Sequence, residues 1–431
     1  MLATERPFGA AARNGERLRR RGGPSISTTL IWTVALLFPL ALAAAALVAA
    51  GLARLGFPLP AADRRIGCVD GLRGYLAVSV LVHHGIIWTL LTFSGGARRW
   101  QAPGVYAFDQ FGAGAVALFF MVTGFVFYPR VLNGFARNDW RAILIGRVFR
   151  IMPLIAATVA VIGIILHLRT GARPGLGDLL AAGRWITAWD QPPLLGQADA
   201  KLVNAGVLWS LWYEWVFYLL LLPLCAFASD RVRERLPSWS VPAGLLVAAL
   251  AARVAVLPRH LELYLPLFAV GMIAFEVQAR PALRGFFAGR PASLLALVSL
   301  GIAMVTAPNA TGLPQLALFS LFFIAVACGN TLFGLLTLPG SLVLGECSYG
   351  IYLVHGIVLS VLFTEGRELV VGLGDVGALA LMVPAAALAA LLTAGSFLGV
   401  ERPMIERGRR LARRLTGHRV TARPAELEVA P

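Results

Sequence analysis

The chain has 431 residues, 58% of them hydrophobic and 14% charged, with a formal net charge of +16 and a mean hydropathy of +0.75. Soluble domains run at roughly 45–50% apolar and about 25% charged, so this composition excludes a soluble globular protein, a disordered chain, a collagen-like repeat and a coiled coil. The arginine excess lies between apolar runs rather than on one soluble face, which points to membrane topology and away from nucleic acid.

In chain order, a basic N-terminal tail (1–28) precedes an apolar segment at 29–52 that reads as a span or a signal-like sequence. Runs of about 18–25 apolar residues suffice to cross a bilayer core as helices. Ten more follow, at 70–92, 107–129, 147–168, 207–229, 239–257, 260–278, 290–307, 313–336, 342–364 and 375–400. Their boundaries carry helix-ending punctuation at Pro129, Pro237, Pro258, Pro281, Pro308 and Pro339. The longest connection, 169–206, is expected to hold a short interfacial helix near 176–189, and the tail at 411–431 to be basic and then disordered. The fold class is all-α: a polytopic membrane helical bundle of about ten core transmembrane helices over 66–410, plus one extra N-terminal apolar segment. Cys68, Cys225, Cys328 and Cys347 are scattered, with no CxxC and no histidine at ligand spacing, so neither a metal site nor a disulfide framework is expected.

Arginine placement sets the orientation. Arg130, Arg137, Arg141 and Arg147, then Arg231, Arg233 and Arg235, then Arg280, Arg284 and Arg290 fall on connections that alternate as cytoplasmic. This places the 169–206 loop outside and the C-terminus in the cytoplasm of a plasma (inner) membrane. Extrapolation backwards puts the N-terminus outside, against Arg13, Arg17, Arg19, Arg20 and Arg21, which favour the inside. The side of the N-terminus stays open.

Ionisable groups within spans are costly and mark function by default. On the second apolar segment, Arg73 and His84 stand eleven residues apart, within ~20° on the helix face and ~16 Å apart in depth. His83 points elsewhere. Taken singly, Arg73 also reads as a snorkelling anchor and His84 as a packing residue. Arg147 and Arg150 lie one turn apart where a span begins; they read either as positive-inside anchors or as a phosphate-binding mouth. Further on, Ser210, Glu214 and Tyr218 share a helix face, with a carboxylate about two turns inside the span, amid tryptophans of an interfacial belt. Ser348, Tyr352 and His355 share another face, and His355 alone is equally a packing residue. Counted from the expected helix ends, His84, Glu214 and His355 fall at one depth, which suggests an intramembrane reaction or transport site.

Together these segments resemble the acyltransferase family 3 membrane proteins, which O-acylate sugars and related hydroxyls. The resemblance runs over about residues 64–410 and rests on motifs in order: Asp70-Gly-Leu-Arg73-Gly with His84, Phe119-Phe-Met-Val-Thr-Gly-Phe125, and Arg147-x-x-Arg-Ile-x-Pro153. It continues in Ser210-Leu-x-x-Glu214-x-x-Phe-Tyr218, Ser348-Tyr-Gly-Ile-Tyr-Leu-Val-His355 and Glu401-Arg-Pro403. Thr123 departs from the usual Ser, and Tyr213 and Trp215 flank Glu214 where Val and a more polar residue are common. The resemblance implies a ten-helix fold with cytoplasmic termini, an acyl-CoA co-substrate bound from the cytoplasm, an essential Arg-x10-His pair, and no permanently bound cofactor or metal. The expected partners are acyl-CoA, a carbohydrate or other hydroxyl acceptor, and membrane lipid. Acetyl, the family's commonest group, is the default.

On this reading His84 is the general base, Glu214 its partner or the acceptor's positioning group, and Arg73 completes the catalytic set. Arg147 and Arg150 hold the donor phosphates; Ser210, Ser348, Tyr352 and His355 serve the acceptor or a proton relay, and Glu401 braces the mouth. The competing class is a proton-coupled secondary transporter using the same His and Glu, but no repeat symmetry or broken helices appear in corresponding halves. A non-catalytic scaffold would leave a basic mouth leading to a deep histidine unexplained.

Overall fold

In the computed structural model the described residues are 26–60, 67–254, 257 and 260–416. They form helices joined by turns, with one isolated bridge between Leu194 and Gln197. In chain order the helices are α1 (Thr28–Arg54), α2 (Gly67–Thr92), α3 (Tyr106–Asn133), α4 (Trp140–Thr170), α5 (Leu176–Ile186) and α6 (Trp209–Val216). A π turn, Phe217–Leu221, joins α6 to α7 (Leu222–Val232); then come α8 (Ser240–Ala251), α9 (Leu261–Gln278), α10 (Pro281–Ala288) and α11 (Arg290–Thr306). The set closes with α12 (Leu313–Ala327), α13 (Pro339–Thr364), α14 (Arg367–Ala380), α15 (Met382–Ser396), a second π turn at Phe397–Glu401, and α16 (Arg402–Thr416).

The all-α, membrane-embedded class expected from composition is the one observed. Among the described residues, eight helices are long and apolar enough to cross a bilayer, or nine if α10 and α11, bent by 72° at their junction, make one span. The count of ten is not reproduced, because two expected spans are short. The segment at 239–257 is helical only over Ser240–Ala251, and that at 313–336 only over Leu313–Ala327. The second ends at Gly329 (φ +98°), and buried Asn330 then accepts from Ser293 Oγ at 2.8 Å and donates to the Phe287 carbonyl at 2.9 Å. A side chain committed to those partners leaves no continuous helix for a longer span. The last span also shifts: Gly374 breaks the backbone at φ 70° inside α14, and the continuous apolar helix begins at Met382 and runs through the π turn to Leu415. The basic tail at 1–25 and the end of the C-terminal tail, 417–431, lie outside the described residues.

The apolar segment at 29–52 folds as α1, whose buried stripe Val34, Ala41, Ala45 and Ala49 packs on α13 and α15. The expected interfacial helix is α5. Its connection is anchored by fully buried Trp185, whose indole donates to the Pro192 carbonyl at 2.9 Å. Asp178 adds two bonds, accepting from Gly175 N–H at 2.9 Å and Leu195 N–H at 2.6 Å.

The centre of the bundle is the crossing of α2 with α13, the most extensive helix contact in the fold. Lipid tails are as apolar as leucine, so association of helices inside the bilayer depends on close packing at small residues. A Cβ on Gly345 would overlap the Asp70 carbonyl, and one on Gly74 would overlap the backbone of Leu344 and Gly345. The α3–α9 crossing works the same way, with Gly124 under Phe268 and Gly271 under Met121.

Two outcomes follow. Gly345→Val forces α2 from α13 at a cost of about 1–3 kcal/mol or more, and should lower the midpoint of heat-induced loss of monodisperse protein by several degrees. Gly163→Val on α4, where nothing lies within 4 Å, should leave it unchanged. The Gly175 and Leu195 N–H groups hold the Asp178 carboxyl below its usual range. Its anchoring of the α5 connection is therefore complete above the ordinary carboxylate value of about 4 and lost as pH falls through the lower folded value. Hydrogen exchange across 175–195 should rise in that acidic window, and Asp178→Asn should abolish the pH dependence.

Candidate active site

Two polar clusters are built around the α2–α13 seam. The deeper one is a pair of histidines. Both His84 and His355 are buried, and His355 Nε2 lies 3.0 Å from His84 Nδ1. The backbone dictates the tautomers. His355 Nδ1 faces the Ile351 carbonyl at 3.0 Å, an acceptor only, so the proton resides there and Nε2 accepts. His84 Nδ1–H then donates to His355 Nε2 and shares its proton with the Val80 carbonyl at 3.1 Å. The lone pair of His84 is left on Nε2, the nitrogen a general base requires.

The rings are fixed from several sides. Trp100, from the loop between α2 and α3, stacks over His84 at 6.0 Å, and His355 stacks at 5.1 Å. His83, off the Arg73 face as the periodicity requires, is fully buried and bonds the Phe108 carbonyl through Nδ1 at 2.7 Å. A Cβ at Gly112 would meet its imidazole at 2.6 Å. Tyr352, one turn along α13 from His355, shares a hydroxyl–hydroxyl bond of 2.8 Å with Ser210 and donates to the Val207 carbonyl at 3.1 Å. This brings α6 to the seam.

The second cluster is basic and gathers the N-terminal halves of α2 and α4 with both π turns. Arg150 pairs with buried Glu401 at 3.1 Å, and Arg73 with Asp70 at 3.5 Å. Arg147 lies over the Phe127 and Tyr218 rings at 5.0 and 5.7 Å. Tyr218, within the first π turn, donates to Glu214 at 3.0 Å, and Arg147, Arg73 and Arg150 are the charges acting on that carboxylate. Ser348, buried beside them on α13, makes no side-chain hydrogen bond among the described residues. Single-turn π bulges recur at functional sites because the extra residue re-aims side chains; here one presents Tyr218 and the other ends on Glu401.

All ten residues singled out by sequence therefore fall into two clusters, but the partnership differs from the expected one. The group bonded to His84 is His355, whereas Glu214 belongs with the arginines. The reason is register. Ser210 is bonded to Tyr352, and from there α6 runs toward the Arg150–Tyr349 contact while His355 lies the other way along α13. At 1.5 Å per residue this sets Glu214 roughly 10 Å from the level of His355. The expected span began at 207, but Ala200–Asn204 forms a short 3-10 turn and α6 begins only at Trp209. Trp100 and Tyr349 escaped sequence reading: the first sits in an aperiodic loop, and the second shows no signal beyond its motif.

A buried histidine pair and a cluster of arginines along one seam of a helical bundle of membrane class form a site suited to group transfer. Residues 66–399 match the family described as "Acyltransferase domain", family 3 of the acyltransferases, so the chain belongs to that family and is an acyltransferase. It is similar to the exopolysaccharide production protein ExoZ of Rhizobium meliloti (strain 1021), with 29% identity over 327 residues, covering 71% of this chain and 92% of the relative. No solved structure matches the chain. The matched interval begins after α1, which lies outside it.

Proposed function

We propose that this protein moves an acetyl group from acetyl-CoA to a hydroxyl of a cell-envelope saccharide, in the inner membrane, with its C-terminus and basic cluster facing the cytoplasm. The observation that carries the reading is the His355–His84 hydrogen bond, which fixes a basic Nε2 about eleven residues along α2 from Arg73. That is ~16 Å along the helix, a separation of the order that the extended arm between CoA phosphates and thioester covers. The saccharide acceptor is supported by the exopolysaccharide role in the relative's name.

The reaction asks little beyond positioning and a base. The acceptor hydroxyl gives its proton to His84 Nε2 as its oxygen attacks the thioester carbonyl. The C–S bond then breaks, and the imidazolium returns the proton to the departing thiolate. His355 is the orienting group, playing toward His84 the part an aspartate plays in a hydrolytic triad. Arg73, Arg147 and Arg150 bind phosphate oxygens. Glu214, through Tyr218, holds Arg147 in place, and Glu401 holds Arg150. Ser210 and Tyr352 lock α6 to α13 beside the base, and Ser348 lies on the donor side.

Purified protein incubated with labelled acetyl-CoA and oligosaccharide acceptors tests this reading; absence of both transfer and thioester hydrolysis sinks it. His84→Ala should cost about 10²–10⁴-fold in transfer, the usual worth of a general base. His355→Ala should lower kcat and be non-additive with His84→Ala, because the two act as one unit. Glu214→Gln should instead add to His355→Ala. Additivity between the histidines, or coupling of Glu214 to them, would restore the expected Glu214–His84 pair.

Arg147→Gln and Arg150→Gln should each raise KM for acetyl-CoA several-fold while leaving KM for the acceptor nearly unchanged, since a lost phosphate contact weakens one substrate only. A change confined to the acceptor would remove these arginines from the donor site.

A further inference from the structure

A cavity of about 300 Å³ opens between the ends of α2 and α13 and the start of α14, at the opposite end of the seam from the arginine cluster. Its lining includes Trp88, Thr92, Gly95, Gly96, Phe363 and Arg367. Its position is set by the same periodicity that builds the histidine pair. Trp88 and Thr92 follow His84 at four and eight residues, and Phe363 follows His355 at eight, so the cavity lies over the faces that carry the histidines. Contact is continuous: the Trp88 ring meets Trp100 edge-on at 5.4 Å, and Trp100 stacks on His84 at 6.0 Å. Phe363 stacks on Trp88 at 5.8 Å and fixes the indole plane.

The chemistry of this lining is that of a sugar-acid site. The indole nitrogen of Trp88 is buried and has no partner among the described residues, so a hydroxyl brought there would satisfy it. Rigid aromatic faces suit the C–H faces of a pyranose. Gly95 and Gly96 turn the chain at φ 58° and 86° and add no side chain to the rim. Arg367 is exposed and makes no ion pair among the described residues, whereas the neighbouring Glu365 is already held by Arg169 at 2.7 Å. A guanidinium left open beside an aromatic shelf selects a carboxylate in bidentate geometry. A lone arginine with glycines and a threonine is a poor site for a lipid phosphate, which gathers clustered cations.

We propose that this cavity is the acceptor-binding vestibule and that it takes an acidic saccharide, with a sugar ring against Trp88 and its carboxylate on Arg367. The assignment rests on the reading of the protein as a saccharide acyltransferase and names the acceptor's class. It also gives the two substrates opposite entries: donor phosphates at the arginine cluster, acceptor at the other end of the α2–α13 seam, and the histidine pair between.

Binding can be measured without the reaction, by titration calorimetry on the full-length protein in detergent. The probes are a glucuronic-acid-containing tetrasaccharide and the same tetrasaccharide with its carboxylates reduced to alcohols. The acidic probe should bind saturably and at least tenfold more tightly than the reduced one. Arg367→Gln should remove that preference and leave the reduced probe unaffected. Trp88→Ala should weaken both probes, and Trp88→Phe should recover part of the loss, which separates a lost stacking face from a misfolded protein. Equal binding of the two probes, binding to neither, or indifference to both substitutions overturns the proposal. So does displacement of the acidic probe by phosphatidylglycerol micelles, which would give the cavity to lipid. Transfer and thioester hydrolysis with oligosaccharide acceptors are scored separately: absence of both in the unmodified protein defeats the acyltransferase mechanism, whereas either one with no probe binding defeats only the vestibule.

Discussion

The contact on which everything else depends is the backbone-to-backbone crossing of α2 and α13. Gly74 and Gly345 let each helix approach to where a single methyl group would collide with the other's backbone. Only at that separation do His84 and His355, carried on facing helices, meet at 3.0 Å. The crossing therefore bears on the tautomer of His84: spread the helices, and His84 Nδ1 has only the Val80 carbonyl of its own helix. Helix packing and the pairing of the buried histidines are one constraint here.

The same seam organises the two ends of the molecule. Toward the α2 start, arginines from α2 and α4 converge with Glu214 and Glu401; toward the α2 end, Trp100 of the α2–α3 loop stacks on His84 and meets Trp88 of α2, which stacks on Phe363 of α13. A bilayer penalises isolated charge, and each basic group here has an answer: Arg150 has Glu401, Arg73 has Asp70, and Arg147 has two aromatic faces.

Much of this was legible in the chain. Apolar runs announced nearly every long helix, and ionisable residues inside them marked both clusters, because polar groups are rare in spans and stand out. What failed was depth. A hydropathy profile gives a helix's ends only to within a turn or so, and slippage of about a turn on each of two spans exchanges His355 for Glu214 as the neighbour of His84. Ser210 and Tyr352 share a hydroxyl bond that pins the register, but two polar residues on separate spans do not declare their pairing in sequence. Asn330 was read as part of an apolar run, although its four-atom amide, once buried, ends the helix and ties three segments together.

The π turn at Phe397–Glu401 has a further consequence. A π turn holds one more residue than the α-turn it replaces, so everything after it is rotated by about 100° relative to an uninterrupted helix. The apolar α15 and the arginine-rich α16 thus share one rod but present unrelated phases: α15 lays its alanines on α1 and α13, and α16 turns Gly408 and Ala412 inward, with Gly408 against Phe149 of α4. The rod behaves as a shaft with a fixed angular offset cut into it. Insertions or deletions of a single residue at that point act as changes of gearing, re-indexing the whole basic segment against α4 while leaving every other helix where it stands.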